Sequence, residues 1–256
     1  MRISGLADIA SQFGGMLIDQ FGVIHDGQKL YPGTLRVLTE LRALAIPVAV
    51  MTNSGKRAKA NVARLVQMGV PRDCFVDAVS SGEVAYATLN VKRAFLIGKA
   101  GEDYGFDGVG FVDDPRDAEV ILILGSDAPA TTLDDYRRML KGLTLPAICC
   151  NPDKLMLSPQ GLLPAPGAIA ALYEEMGGSV TWIGKPFPEI YHHAARLIGN
   201  PGRILCIGDS AEHDVAGGRN AGFSTLLVMT GVSAGLDPAT LDPKPDYWME
   251  AFIWKD

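Results

Sequence analysis

The chain has 256 residues, 48% of them hydrophobic and 20% charged, with a net charge of −6 and an isoelectric point near 5.2. That length accommodates one large α/β domain, or a core domain with a smaller partner. An acidic chain without a Lys/Arg-rich run lacks the electrostatic footprint of nucleic-acid binding, and no apolar run is long enough to cross a bilayer.

The opening stretch MRISGLADIASQFGG has no unbroken apolar core of the signal-peptide kind. Cys74, Cys149, Cys150 and Cys206 lie at no metal-ligand spacing and sit in or beside apolar segments. They read as buried thiols in a reducing cytoplasm. The four histidines form no metal motif. The expectation is a cytoplasmic protein with neither a membrane nor a nucleic-acid partner.

In chain order, Met16–Asp19 is predicted as a buried strand that stops at a carboxylate. Gly33–Ala45 follows as an amphipathic helix, with Leu35, Leu38, Leu41 and Leu44 at helical spacing. IPVAVMTNSG supplies a second strand ending at Thr52, and Lys56–Met68 a second helix closed by Gly69. Ser80 and Glu83 have capping-box spacing, which starts a third helix. RAFLIG, AEVILILGSD and LPAICCNPD are three further strands, with a helix over Thr132–Lys141 between the last two.

LLPAPGAIAALYEEMGG then passes through a Pro-rich joint into a helix. VTWIGKP and RILCIGDS are strands again, followed by a helix over Glu212–Ala221 and the strand STLLVMTG. Such alternation predicts parallel βαβ units. The fold expected is a doubly wound, Rossmann-like parallel-sheet core, residues 1–79 and 166–256, with a smaller α/β insert at 80–165.

In open parallel sheets, ligands bind outside the carboxyl ends of the strands. Polar residues fall there in four segments: Asp19; Thr52 with Asn53 and Ser54; Lys185; and Asp209, with Asp214 five residues on. Two carboxylates can hold Mg²⁺, which takes hard oxygen ligands and keeps waters for a substrate phosphate. Thr52 or Ser54 and nearby backbone N–H groups can bind phosphate oxygens, and Lys185 can neutralise both aspartate and phosphate. An aspartate held beside a metal and a lysine is a known type of phosphoryl acceptor. Taken singly, each residue has a bland reading as a turn former, cap or loop lysine. Four in this order are a different matter.

With those elements in place, the sequence resembles the haloacid dehalogenase superfamily of aspartate-nucleophile hydrolases over nearly its whole length. Asp19-Gln-Phe-Gly-Val resembles the first motif, Met51-Thr52-Asn53 the second and Gly184-Lys185-Pro186 the third. Gly208-Asp209-Ser210, with Asp214 and AGGRNAG, resembles the fourth. The insert between the second and third motifs is similar to the α/β cap of subclass IIA, the nucleotide- and nitrophenyl-phosphatase-like group. SSGEVAYATL, NPDKLMLSPQGLLPAPGAIAAL and TGVSAGLDPATL fit that group too.

The resemblance implies a Mg²⁺-dependent phosphatase of small phosphorylated substrates. Asp19 would attack phosphorus and form an aspartyl-phosphate, with Lys185 stabilising charge. Thr52 would bind the phosphoryl group with backbone help from Asn53. Asp19, the Phe21 carbonyl and Asp209 would ligate Mg²⁺, with Asp214 supporting the metal shell. The insert would choose the substrate, with Asp153 and Lys154 as candidates. Relatives of this subclass are often dimers through the cap.

One position departs from the pattern. Phosphatases of the superfamily carry a second aspartate where this chain has Phe21, and phenylalanine can neither protonate a leaving oxygen nor activate water. General acid–base help is worth about 10²–10⁴ in rate, or roughly 3–5 kcal/mol of barrier. Leaving groups that need no proton should suffer least. His25 and Asp26 lie just beyond and are the candidates to stand in for the missing acid, but the favoured reading is that they shape the flap there. His192 and His193 open the helix after Lys185 and read as surface residues, and His213 sits inside the fourth motif, which does not call for histidine.

Two other readings stay open. Metal-independent haloalkanoate dehalogenases of the superfamily also carry an aromatic two residues after the nucleophile, but they insert a helical cap between the first two motifs. The span from Asp19 to Thr52 has no room for one. A phosphate-ligand-binding protein with little turnover would suit Phe21 but has little use for Asp19.

Overall fold

The computed structural model describes residues 1–158 and 161–256; Pro159 and Gln160, within the stretch NPDKLMLSPQGLLPAPGAIAAL, lie outside the described residues. The chain divides into two compact units, one of residues 1–52, 58–79 and 185–256, the other of residues 53–57 and 80–184.

The chain begins with β1 (Gly15–Asp19), α1 (Thr34–Ala43), β2 (Val48–Thr52), α2 (Ala58–Gln67) and β3 (Asp77–Ser80). The middle of the chain holds α3 (Ser81–Thr88), β4 (Arg93–Ile97), β5 (Gly110–Val112), β6 (Val120–Ile123), α4 (Leu133–Leu140) and β7 (Ala147–Cys149). It continues with β8 (Leu155–Ser158), β9 (Gly161–Pro164), α5 (Pro166–Glu175) and β10 (Val180–Trp182). The last segment contains α6 (Pro188–Leu197), β11 (Ile204–Gly208), α7 (Ala216–Asn220), β12 (Ser224–Val228) and β13 (Tyr247–Met249).

In the first unit the strands run in the order β13-β12-β11-β1-β2-β3. The chain adds strands on one side of β1, leaves, and returns to add the rest on the other side. That makes the carboxyl end of β1, between β2 and β11, the topological switch point where such sheets bind ligands. Both pairings of β1 are parallel, with Asp19 opposite Met51 and Ile18 opposite Ile207. Met16, Leu17 and Ile18 are fully buried, as a parallel strand covered on both faces requires. Val37, Leu38 and Leu41 of α1 join Met16 and Ile18 in one core, whereas Leu35 and Leu44 are exposed. Half of that helical leucine stripe therefore faces water.

The second unit has its own parallel sheet, ordered β10-β7-β6-β4-β5. Phe95, Ile97, Ile121 and Ile123 pack there with Tyr136 and Leu140 of α4 and Ile169 and Leu172 of α5. Thr132 and Asp135 form a reciprocal capping box at the start of α4, and Ser80 Oγ accepts the Glu83 N–H at the start of α3, 3.0 Å away.

This unit runs on to Gly184 rather than closing at 165, because α5 packs into its core and β10 pairs with β7. One consequence corrects the sequence reading. VTWIGKP contributes its strand to the second unit's sheet, so Lys185 does not stand at a strand end of the six-stranded sheet. It opens the segment that leads into α6.

The short strands β3, β5, β8, β9 and β13, three or four residues each, have no counterpart in the sequence reading. The helix expected over Glu212–Ala221 begins as a π-helical turn, Ala211–Val215, before α7. All four cysteines are buried and free; burial pushes the Cys149 thiol up to about 12. Among the described residues, no helix is long and apolar enough to cross a membrane.

Candidate active site

β1 ends on Asp19, which is 7% exposed. Its Oδ1 lies 2.8 Å from Lys185 Nζ, and the same ammonium donates to Asp214 Oδ1 at 2.7 Å. β11 ends at Gly208, which puts Asp209 at the neighbouring strand end. Asp214 is carried by the π-helical turn, and its Oδ2 accepts the Ser210 N–H at 3.1 Å. A Cβ on Gly208 would sit 2.0 Å from Asp214 Cγ, so only glycine lets this carboxylate approach the strand.

Ligand oxygens of Asp19, Asp209 and Asp214 all lie within 4.8 Å of one another. Three carboxylates around one ammonium leave an excess of two negative charges in a buried space. Burial pushes Lys185 down, but Asp19 and Asp214 outweigh it and hold the ammonium above its ordinary value, so Lys185 keeps its proton. The surplus falls on the acids. Burial raises Asp19 well above the usual carboxylate range, opposed by Lys185 and reinforced by Asp214 and Asp209. Burial, with the charge of Asp214, pushes Asp209 up to about 7. A hard divalent cation matches both the oxygen set and the missing charge.

The sequence reading missed the turn after β12. Val232 N–H donates to Asp209 Oδ2 at 2.7 Å, and Ser233 Oγ donates to the Asp209 carbonyl at 2.6 Å. Gly22 and Gly231, both at positive φ, close around that carboxylate. A Cβ would stand 2.0 Å from Asp209 Oδ2 at the first and 1.8 Å at the second. The stretch TGVSAGLDPATL enters the sequence reading only through its family likeness, and nothing in it names Asp209 as the partner.

Thr52 ends β2, the strand beside Asp19, and is half-buried. Asn53 and Ser54 group instead with the second unit. There Asn53 Nδ2 donates to Asp153 Oδ1 at 2.9 Å, and Ser54 Oγ accepts the Lys56 N–H at 3.2 Å. The structure therefore brings Asp19, Lys185, Asp209 and Asp214 together in the first unit, with Thr52 on the adjacent strand end.

Phe21 is 46% exposed, its ring edge-on to His25 with centroids 6.1 Å apart. His25 is buried, and its Nδ1 accepts the Gly27 N–H at 3.0 Å, which leaves the ring proton on Nε2. That Nε2 has no hydrogen-bond partner among the described residues. Burial and then the charge of Arg64 push His25 down to about 4, so the ring is neutral near pH 7. Asp26 Oδ1 accepts the N–H groups of Gln28 and Lys29, both at 2.9 Å. Both residues thus hold the flap in shape. His192 is exposed in the second turn of α6, and His213 Nδ1 lies 3.3 Å from Ser210 Oγ.

Known proteins agree with this architecture. Residues 16–112 match the family described as haloacid dehalogenase-like hydrolase, and residues 182–253 the family described as HAD-hydrolase-like. The chain is 29% identical over 228 residues to a dihydroxyacetone phosphatase of Corynebacterium glutamicum, covering 85% of this chain and 81% of the relative. A haloacid dehalogenase-like hydrolase from Brucella suis superposes with a TM-score of 0.86 at 28% identity, covering 98% of this chain and 100% of that one. A 4-nitrophenylphosphatase from Thermotoga maritima does so at 0.77 and 28% identity, covering 95% and 96%. With its α/β insert between the second and third motifs, the chain belongs to subclass IIA of the haloacid dehalogenase-like hydrolases.

Proposed function

We propose that this chain is a Mg²⁺-dependent phosphatase of small phosphate esters that works through an aspartyl-phosphate on Asp19. The observation that carries the reading is the buried cluster of Asp19, Asp209 and Asp214 oxygens with Lys185 Nζ bridging two of them. Relatives named dihydroxyacetone phosphatase and 4-nitrophenylphosphatase support the substrate class.

The Asp19 carboxylate attacks phosphorus as the P–O bond to the leaving group breaks. Water then attacks the same phosphorus, the Asp19–phosphorus linkage breaks, and phosphate leaves. Lys185 holds Asp19 Oδ1, which orients the nucleophile and offsets charge as the phosphoryl group arrives. Thr52, with the backbone of Asn53 next to it in the chain, binds the phosphoryl oxygens. Asp19, Asp209 and the Phe21 carbonyl would hold Mg²⁺, with Asp214 behind them; when bound, the ion supplies Lewis-acid neutralisation of phosphoryl charge.

Phe21 offers no proton, so the leaving oxygen departs as an anion. The reading therefore favours esters of acidic alcohols and phenols, and acyl phosphates, over simple alkyl phosphates.

The test is phosphate release from p-nitrophenyl phosphate with and without Mg²⁺, with Asp19→Asn as the blank. Metal-dependent release that vanishes in the variant is the expected result. A silent wild type would favour a protein that holds a phosphate ligand without turnover, and equal release with and without metal would remove Mg²⁺ from the reading.

A further inference from the structure

We infer that Thr230 is a positioning residue for the Phe21 carbonyl, and that its hydroxyl, through Gly22, sets how tightly the carboxylate cluster holds a divalent cation. The inference rests on the metal reading above. Residue 21 has no side-chain oxygen, so whatever it gives a metal must come from its main chain, and the orientation of that one peptide becomes decisive.

The Phe21–Gly22 peptide is trans, so its C=O and N–H point in opposite directions from one plane. Gly22 N–H donates to the His25 carbonyl at 2.9 Å, which fixes the plane and directs the Phe21 oxygen away from His25. On the other side of the same residue, the Thr230 hydroxyl donates to the Gly22 carbonyl. Gly22 sits at φ +87°, a conformation costly for residues with a Cβ, and borders Asp209 so closely that a Cβ there would strike its Oδ2. The peptides on both sides of Gly22 are thereby pinned against rotation.

Thr230 also opens the turn whose next residues hold Asp209. Val232 N–H donates to Asp209 Oδ2, and a Cβ on Gly231 would lie 2.7 Å from the Gly22 Cα. One short turn after β12 thus orders the Asp209 carboxylate and the backbone beside Phe21 together. The Thr230–Gly22 contact joins positions 208 residues apart in the chain.

The experiment is titration of the full-length chain with Mn²⁺, followed by the electron paramagnetic resonance signal of free Mn²⁺, with no substrate present. Thr230→Val keeps the shape and deletes the hydroxyl, and its Mn²⁺ affinity should fall by about tenfold or more, the scale seen when a residue supporting a metal ligand is removed. Thr230→Ser keeps the hydroxyl and should bind as wild type does. Should circular dichroism show Thr230→Val unfolded, Thr230→Ala makes the same comparison. Wild-type affinity in Thr230→Val, or an equal loss in Thr230→Ser, overturns the inference. A wild type that binds no Mn²⁺, or an Asp209→Asn variant that binds it equally well, overturns the metal reading itself and this inference with it.

Discussion

Lys185 Nζ lies 2.8 Å from Asp19 Oδ1, both side chains buried, so the group proposed to attack phosphorus is held by a permanent positive charge. The lysine also prevents Asp19 and Asp214 from facing each other uncompensated, because it donates to both.

Removing that ammonium should therefore cost stability as well as rate. Lys185→Met leaves three buried carboxylates without it, and breaking a buried ion pair from one side costs about 3–5 kcal/mol. The expected outcome is a lowered Tm in metal-free buffer, partly restored by Mg²⁺, in a thermal unfolding series. An unchanged Tm would mean that Lys185 does not hold the cluster together.

Asp19→Asn should behave in the opposite way. It removes the nucleophile but keeps an oxygen that can accept from Lys185, and it removes one of the surplus negative charges. Activity on p-nitrophenyl phosphate should fall by at least about 10⁴, the order lost when a member of a covalent catalytic unit is deleted, while Tm stays level or rises. A variant retaining a tenth of wild-type activity would place the nucleophile elsewhere.

The pH dependence follows from Asp209. Burial, reinforced by Asp214, raises it from 3.8 to about 7, so between those values the folded chain binds a proton that the unfolded chain has released. Its contribution to stability is present in full below 3.8 and is lost as pH rises through 7. Mg²⁺ competes with that proton, so the rise in Tm on adding a fixed concentration should be larger at pH 8 than at pH 5. Scanning fluorimetry at the two values reads this directly, and Asp209→Asn should abolish the difference. A larger shift at pH 5 would contradict the assignment.

Phe21→Asp tests the missing acid. A carboxylate at 21 should improve kcat/KM on alkyl phosphates relative to p-nitrophenyl phosphate by about 10² or more, the lower end of what general acid–base help provides. The wild type should show a steep dependence of rate on leaving-group pKa, and the variant a shallower one. A flat wild-type profile would show that proton donation is already supplied without residue 21.

Much of this was legible from residue patterns because the information is local. Met16–Ile18 is a continuous apolar run of the kind a strand covered on both faces carries, and Asp19 closes it. Ser80 with Glu83 announced the start of α3 through capping chemistry that needs no distant partner. Asp209 followed from the same logic as Asp19, a carboxylate just past the end of a buried strand.

Lys185 shows where local reading fails. A strand pattern precedes it, but nothing in VTWIG says which of two parallel sheets that strand joins; pairing with β7 decides it. The Thr230 turn was invisible for a related reason. Its hydroxyl meets Gly22 only after the chain has closed contacts across most of its length, and the Val232 N–H beyond it meets Asp209 23 residues back. The sequence by itself determined the βαβ rhythm, the acids at the ends of β1 and β11, and the chemistry those residue types allow. Tertiary structure alone decided which sheet each strand entered, how two carboxylates came to share one ammonium beside a third, and which backbone groups hold them, because partners this distant in the chain leave no periodic mark on it.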